Sequence, residues 1–174
     1  MAKYGTSIVL ISIVLLVTTS VVEYGDFDLR VVSYEVCKAP KKINCCDVTA
    51  YTYDNIWIKY DVTTKENMTA IKALFVGSLN NKELIRFRVN DMCTHIFFKP
   101  LILAAFNLTD SCGIFKGHHA FRVDVRATTR NLYGGKFMYG NWSYKVSFFN
   151  DKCNLHCGLM RLAVTPRNKI EALF

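Results

Sequence analysis

The sequence predicts an all-β fold: a two-sheet sandwich or cup of about seven to eight antiparallel strands, with one short helical segment and an apolar cavity. Three observations support this prediction. From Tyr51 onward, apolar and polar residues alternate along most of the chain, which is the period of a strand with one buried face. Clusters of Asn, Asp and Gly separate the alternating segments. Twelve Phe, nine Tyr and two Trp provide more apolar side chains than the inner faces of a small sandwich need.

The alternation predicts individual strands. The first covers Tyr51 to Val62, the second Thr69 to Leu79 and the third Leu84 to Val89. Because only short turns separate these three, we expect them to form a meander. After a break, the same pattern predicts strands over Ala120 to Ala127, Trp142 to Phe149 and Leu159 to Val164.

The segment from Asp91 to Asn107 has a different period. Its apolar residues recur at helical spacing, so we expect one short helix here. Pro100 lies in the middle of the segment and should kink or break that helix, because proline lacks the backbone N–H and clashes with the preceding turn.

The N-terminus has the pattern of a signal peptide. One basic residue, Lys3, precedes an uncharged apolar run from Ile8 to Val17, and small polar residues follow up to Ser20. An uncleaved membrane anchor is the alternative, but it needs about 20 apolar residues. We therefore expect residues 1–20 to be a signal peptide and residues 21–174 to be a single secreted, extracellular domain.

Secretion favours disulfides over free thiols or metal ligands. All seven cysteines follow the predicted signal peptide, so up to three bridges can form and one thiol remains, either buried or paired with a second chain. The segment from Cys153 to Cys157 also contains His156, but its spacing matches no common zinc site, and we predict no metal. Cys153 and Cys157 can pair with each other, or one of them can reach back to Cys37 or Cys45. The disulfide candidates are Cys37, Cys45, Cys46, Cys93, Cys112, Cys153 and Cys157.

Three Asn-x-Ser/Thr triplets begin at Asn67, Asn107 and Asn141. In a secreted chain they are candidate glycosylation sites where the asparagine reaches solvent.

The charge distribution bears on the partners. The formal net charge is +8, falling to +7 without Lys3, and it is spread thinly along the chain. A dispersed charge reads no sequence, so nucleic acid is not an expected partner. An anionic lipid head group or a fatty-acid carboxylate is a better candidate, and contact with a membrane surface or a receptor is a further one. No pattern indicates a cofactor or an oligomeric state. The four histidines have no nucleophile motif near them, so we do not expect an enzyme.

The surplus of apolar residues suggests a ligand. Apolar runs around residues 96–103 and 137–139 place such residues on both sides of the backbone, as expected if the sheets splay apart around an apolar cavity. The residues that we expect near the mouth of this cavity are Phe97, Phe98, Phe115, Phe137 and Met138.

The order of motifs resembles a known group of proteins. Asp91-Met92-Cys93 opens the helical segment, Cys112 to Gly117 reads Cys-Gly-Ile-Phe-Lys-Gly, and Gly140 to Tyr144 reads Gly-Asn-Trp-Ser-Tyr. This pattern is similar to the ganglioside activator protein and the insect CheB-type secreted chemosensory proteins, within the ML group of lipid-recognition domains. The resemblance covers roughly residues 51–166. Gly113 departs from it, because the family usually has proline after this cysteine.

The resemblance implies a β cup that binds a lipid or another apolar small molecule without chemistry of its own. It also implies a disulfide between Cys93 and Cys112. We therefore expect a secreted lipid carrier or presenter, with a chemosensory role if the insect resemblance holds. The alternative is an extracellular protein-interaction module with a solid core and no cavity.

Overall fold

The computed structural model describes residues 23–96, 98–105 and 113–167. Within these residues the chain forms nine strands and two helices. The strands are β1 (Tyr24–Val36), β2 (Cys46–Tyr53), β3 (Trp57–Thr64), β4 (Lys72–Leu79), β5 (Lys82–Val89), β6 (Gly117–Asp124), β7 (Lys136–Met138), β8 (Gly140–Phe149) and β9 (Asn154–Pro166). The helices are α1 (Phe98–Ala105) and α2 (Val125–Tyr133).

The strands form two antiparallel sheets. The larger sheet has six strands in the order β5-β4-β8-β9-β1-β7, and the smaller has three in the order β2-β3-β6. The predicted all-β, two-sheet class is confirmed. The described residues contain more strands than the seven to eight predicted and a second helix that the sequence pattern did not reveal.

The predicted meander is wrong. The segment from Tyr51 to Val62 is not one strand, because Asp54 and Asn55 adopt positive φ angles of 52° and 53° and join β2 to β3 in a tight hairpin. Asp and Asn tolerate this left-handed conformation better than most residues. β3 then pairs with β6 in the small sheet, whereas β4 pairs with β5 and β8 in the large sheet. The chain therefore crosses from the small sheet to the large sheet between β3 and β4.

Strand β1 was absent from the sequence prediction, although it lies inside the large sheet. Phe27, Leu29 and Val31 alternate as fully buried residues. A register shift between Val31 and Ser33 interrupts the alternation, which hides the strand from a simple period-two pattern.

Helix α2 covers the edge of β1 that β7 leaves open. The side chains of Arg126 and Arg130 donate hydrogen bonds to the backbone carbonyls of Leu29 and Phe27, at 3.2 and 3.4 Å. These bonds satisfy backbone acceptors that have no strand partner there. The edge is thereby closed by a helix rather than by another strand.

Both helices begin where the local sequence dictates. The Asp124 carboxylate accepts a bond from the Ala127 N–H at 2.8 Å and caps α2, so the strand predicted to reach Ala127 ends three residues earlier. Pro100 lies in the first turn of α1, where its missing N–H removes no intrahelical bond. The segment predicted from Asp91 is therefore helical only from Phe98, two residues before Pro100.

Two disulfides tie early residues to β9 and to the residue just before it. Cys37 pairs with Cys157 and Cys45 pairs with Cys153, which are long-range links of 120 and 108 residues. Cys93 is also disulfide-bonded. Cys112, the partner that the resemblance implies, lies outside the described residues.

Cys46 is the exception among the predicted disulfide cysteines. It is a free thiol and only 5% exposed. Cys45, just before β2, pairs with Cys153, whereas Cys46, the first residue of β2, lines the space between the sheets. Burial raises the pKa of the Cys46 thiol to about 11, and the thiol is therefore neutral at physiological pH.

Candidate ligand-binding cavity

A cavity of about 400 Å³ lies between the two sheets. This volume is within the range of about 300–1,000 Å³ that is typical of small-molecule sites. Inward-facing residues of β1, β4, β5, β8 and β9 form one wall, and residues of β2, β3 and β6 form the other. Helices α1 and α2 contribute further residues to the lining.

Strand alternation explains why the lining is apolar. On β8 the inward positions carry Tyr144, Val146 and Phe148, and on the opposing β3 they include Ile58 and Val62. Each strand therefore directs every second side chain into the cavity. Val146 and Phe148 remain only partly buried, as expected for side chains that face an open space rather than a filled core.

Lining residues reach solvent at two places. Near α1, the Phe75 ring stacks on those of Phe87 and Phe98, each with centroids 4.7 Å apart, and Phe87 is 41% exposed. On α2, Leu132 and Tyr133 also line the cavity and are exposed. At these two places the lining of the cavity therefore continues into the protein surface.

One polar pair faces the cavity from the large sheet. The Tyr34 hydroxyl forms a hydrogen bond with His156 Nε2, and the edge of the Tyr60 ring packs against both rings. Gly158 makes room for this arrangement, since a Cβ atom there would lie 2.1 Å from Tyr34 Oη.

Burial keeps this polar pair uncharged. It lowers the pKa of His156 to about 4, so the imidazole is neutral at physiological pH. The pKa of Tyr34 is raised, first by burial and second by the neighbouring Tyr60. No Lys, Arg, Asp or Glu lines the cavity within the described part of the chain.

The structure separates the residues predicted at the cavity mouth. Phe98 lines the cavity, whereas Phe115 is 54% exposed and does not. Phe137 is 5% exposed and packs in the core against Phe27 and Trp142, with Met138 partly buried beside the same cluster. Phe97 lies outside the described residues.

Sequence reasoning missed the polar pair. The alternation predicted the last strand only from Leu159, but β9 begins at Asn154 and carries His156, Gly158, Met160 and Leu162 into the lining. Their spacing of two was a usable signal. Tyr34 was missed because its strand was missed.

The other predicted sites fall at the surface or outside the described residues. Asn67 and Asn141 are exposed, as a glycan would require, and Asn107 lies outside the described residues. The side chains of Cys45, Glu66 and Cys153 lie close enough together to hold a metal ion, but Cys45 and Cys153 are the two halves of a disulfide and have no thiolate to offer.

His118 and His119 each have a polar neighbour. His118 Nε2 lies 2.8 Å from Asp61 Oδ1, and His119 Nε2 lies 3.5 Å from the Thr64 hydroxyl. That hydroxyl donates to the carbonyl of Phe115 at 2.6 Å. None of the described helices has the length and apolar character needed to span a membrane.

The chain is thus a two-sheet β protein with an apolar cavity between its sheets. No protein-family model matches it, and no curated protein does. Among solved structures, it is similar to chicken MD-1, determined in a complex with lipid IVa. The two chains are 10% identical, the similarity covers 79% of this chain and 98% of MD-1, and the TM-score is 0.36. Because this similarity is weak, the residues of the cavity itself decide what it can bind.

Proposed function

We propose that the protein is a secreted carrier or presenter that binds a lipid, or another apolar small molecule, in the cavity between its sheets. One observation carries the proposal: a cavity of about 400 Å³ whose lining is apolar except for neutral hydroxyl, thiol and imidazole groups. Apolar ligands gain roughly 0.8 kcal/mol for each CH₂ group that such a site removes from water.

The cavity weighs against the alternative of an interaction module with a solid core. In such a module the inner faces of the sheets would be filled by their own side chains. Here the inward residues Tyr60, Val123 and Val146 are only partly buried and face an open space.

Secretion and glycosylation are part of the proposal. The disulfides support it, because bridges of this kind form and persist in oxidising compartments. The predicted signal peptide lies outside the described residues. Membrane-surface or receptor contact and a chemosensory role are finer proposals. The first is suggested by the net charge of +8 and the second by the resemblance to insect proteins.

A cavity-filling variant tests the function. Val123 lies on β6 and lines the cavity. The larger side chain of Val123→Phe should occupy space that a ligand needs and weaken binding of a fluorescent hydrocarbon probe by roughly tenfold or more. The matched control is Val32→Phe, since Val32 is 57% exposed and does not line the cavity. Equal binding by both variants, or no bound lipid in solvent extracts of the secreted protein, would refute the proposal.

A further inference from the structure

The outer face of the small sheet carries a cluster of aromatic and basic side chains. Residues beside them along the strands, such as Ile58 and Val123, line the cavity, so alternation places the cluster on the opposite face. Most of its members also line a shallow depression in this face. We call the cluster the outer patch; it consists of Tyr51, Tyr53, Trp57, Lys59 and Arg122.

Two like charges lie side by side in the outer patch. Lys59 on β3 is directly opposite Arg122 on β6, and both side chains are exposed. Like charges in directly opposite positions destabilise a sheet. Within the described part of the chain, neither cation forms an ion pair. An anion bound between them would remove the repulsion.

The carboxylates of the small sheet are engaged elsewhere. Asp61 Oδ1 lies 2.8 Å from His118 Nε2, and Asp47 Oδ1 lies 2.8 Å from Lys65 Nζ. Asp124 caps helix α2. The outer patch therefore keeps its positive charge and is complementary to an anion from outside the chain.

Aromatic rings hold the two cations in position. The Arg122 guanidinium lies 4.9 Å from the centroid of the Trp57 ring, and that ring stacks on the Tyr53 ring with the planes 11° apart. The Lys59 ammonium lies 5.9 Å from the centroid of the Tyr51 ring. Contacts of this kind stabilise a cation and reduce the side-chain freedom that binding would otherwise remove. The positions of both charges are thus set before a ligand arrives.

The composition of the outer patch favours a saccharide over a membrane surface. The planar Arg122 guanidinium can donate two parallel hydrogen bonds to a carboxylate or sulfate group. Tyr51 is 54% exposed and offers an apolar ring to the C–H groups of a sugar and a hydroxyl to its polar groups. An anionic membrane would gain only about 1 kcal/mol from each of the two cations. Residues that line a depression also do not project into acyl chains.

We propose that the outer patch binds an acidic saccharide. The carboxylate or sulfate group of the saccharide lies between Lys59 and Arg122, and the sugar ring packs against Tyr51. This proposal goes beyond the proposed function, because it assigns a second ligand to a different face of the protein.

The test is isothermal titration calorimetry with a heparin tetrasaccharide, compared with the same tetrasaccharide after desulfation and carboxyl reduction. The acidic form should bind and the neutral form should not. Arg122→Gln should weaken binding of the acidic form roughly tenfold or more, which is the effect of losing hydrogen bonds to a charged group, and Lys59→Gln should act in the same direction.

The matched control is Arg88→Gln, which should keep wild-type affinity for the acidic tetrasaccharide. Arg88 is also exposed and also lies over an aromatic ring, that of Phe149, but it is on β5 of the large sheet. Arg88→Gln and Arg122→Gln remove the same charge, so a difference between them does not come from the general attraction of a basic protein for an anion.

The proposal is overturned if the acidic tetrasaccharide does not bind, if the neutral form binds equally well, or if Arg122→Gln and Arg88→Gln lose affinity equally. It is also overturned if the protein instead binds vesicles of equal parts phosphatidylcholine and phosphatidylserine through Arg122, because the partner would then be a membrane surface. Arg122 does not line the cavity, so Arg122→Gln should bind a hydrocarbon probe as the wild type does. Failure of this proposal therefore leaves the proposed function intact.

Discussion

Truncation of Phe137 distinguishes a core residue from a ligand contact. The side chain is 5% exposed, and its ring centroid lies 4.3 Å from that of Tyr133, 4.8 Å from that of Trp142 and 5.8 Å from that of Phe27. Removing a buried Phe side chain typically costs about 3–5 kcal/mol, because apolar contacts are lost and a cavity remains. For a domain of this size, that corresponds to a fall in melting temperature of roughly 6–20 °C.

The assay is chemical denaturation of Phe137→Ala beside Phe115→Ala. Phe115 is 54% exposed, so the same truncation there should change the free energy of unfolding by no more than about 0.5 kcal/mol. If Phe137→Ala kept wild-type stability but lost ligand binding, Phe137 would belong at the cavity mouth, as its sequence first suggested. The packing described for this cluster would then be wrong.

Three further predictions concern the large sheet. The free energy of unfolding should fall by up to about 3 kcal/mol as the pH drops from 6.5 to about 4, because His156 is protonated at a higher pH in the unfolded chain than in the folded one. In denaturation measured across this pH range, His156→Gln should abolish the fall. If the fall persisted in the variant, a group other than His156 would cause it. Replacing both Cys37 and Cys157 with Ala should cost about 2–5 kcal/mol in urea denaturation, because the bridge closes a loop of 120 residues, and a loss below about 1 kcal/mol would contradict this. Gly158→Ala should lower the free energy of unfolding by about 1–3 kcal/mol, since the new Cβ would lie 2.1 Å from Tyr34 Oη, and a neutral effect measured by thermal melting would show that Tyr34 moves freely.

The alternation of apolar residues predicted much of the fold because most strands have one buried face. Segments such as Lys72–Leu79 and Gly140–Phe149 lie where this pattern placed strands. The pattern tells which face of a strand is buried but not which strand is its neighbour, so the crossing from β3 to β4 between sheets was not predictable from it. The hairpin at Asp54 and Asn55 was hidden because apolar residues continue on both sides of a very short turn.

The candidate site was predictable in kind but not in detail. The abundance of aromatic residues indicated an apolar cavity, and the structure contains one. Which aromatic side chains line it depends on residues distant in sequence. Phe137 is buried because Phe27 and Trp142 pack against it, whereas Phe98 faces the cavity because α1 places it on Phe75.

The binding of an apolar ligand between the sheets is tested most directly by anomalous diffraction from crystals grown with a bromine-terminated alkyl alcohol. We predict a bromine peak inside the cavity, within contact distance of Val123 and Val146, and none in crystals of Val123→Phe. Bromine peaks confined to the protein surface, or a cavity closed by its own side chains, would contradict the proposed function.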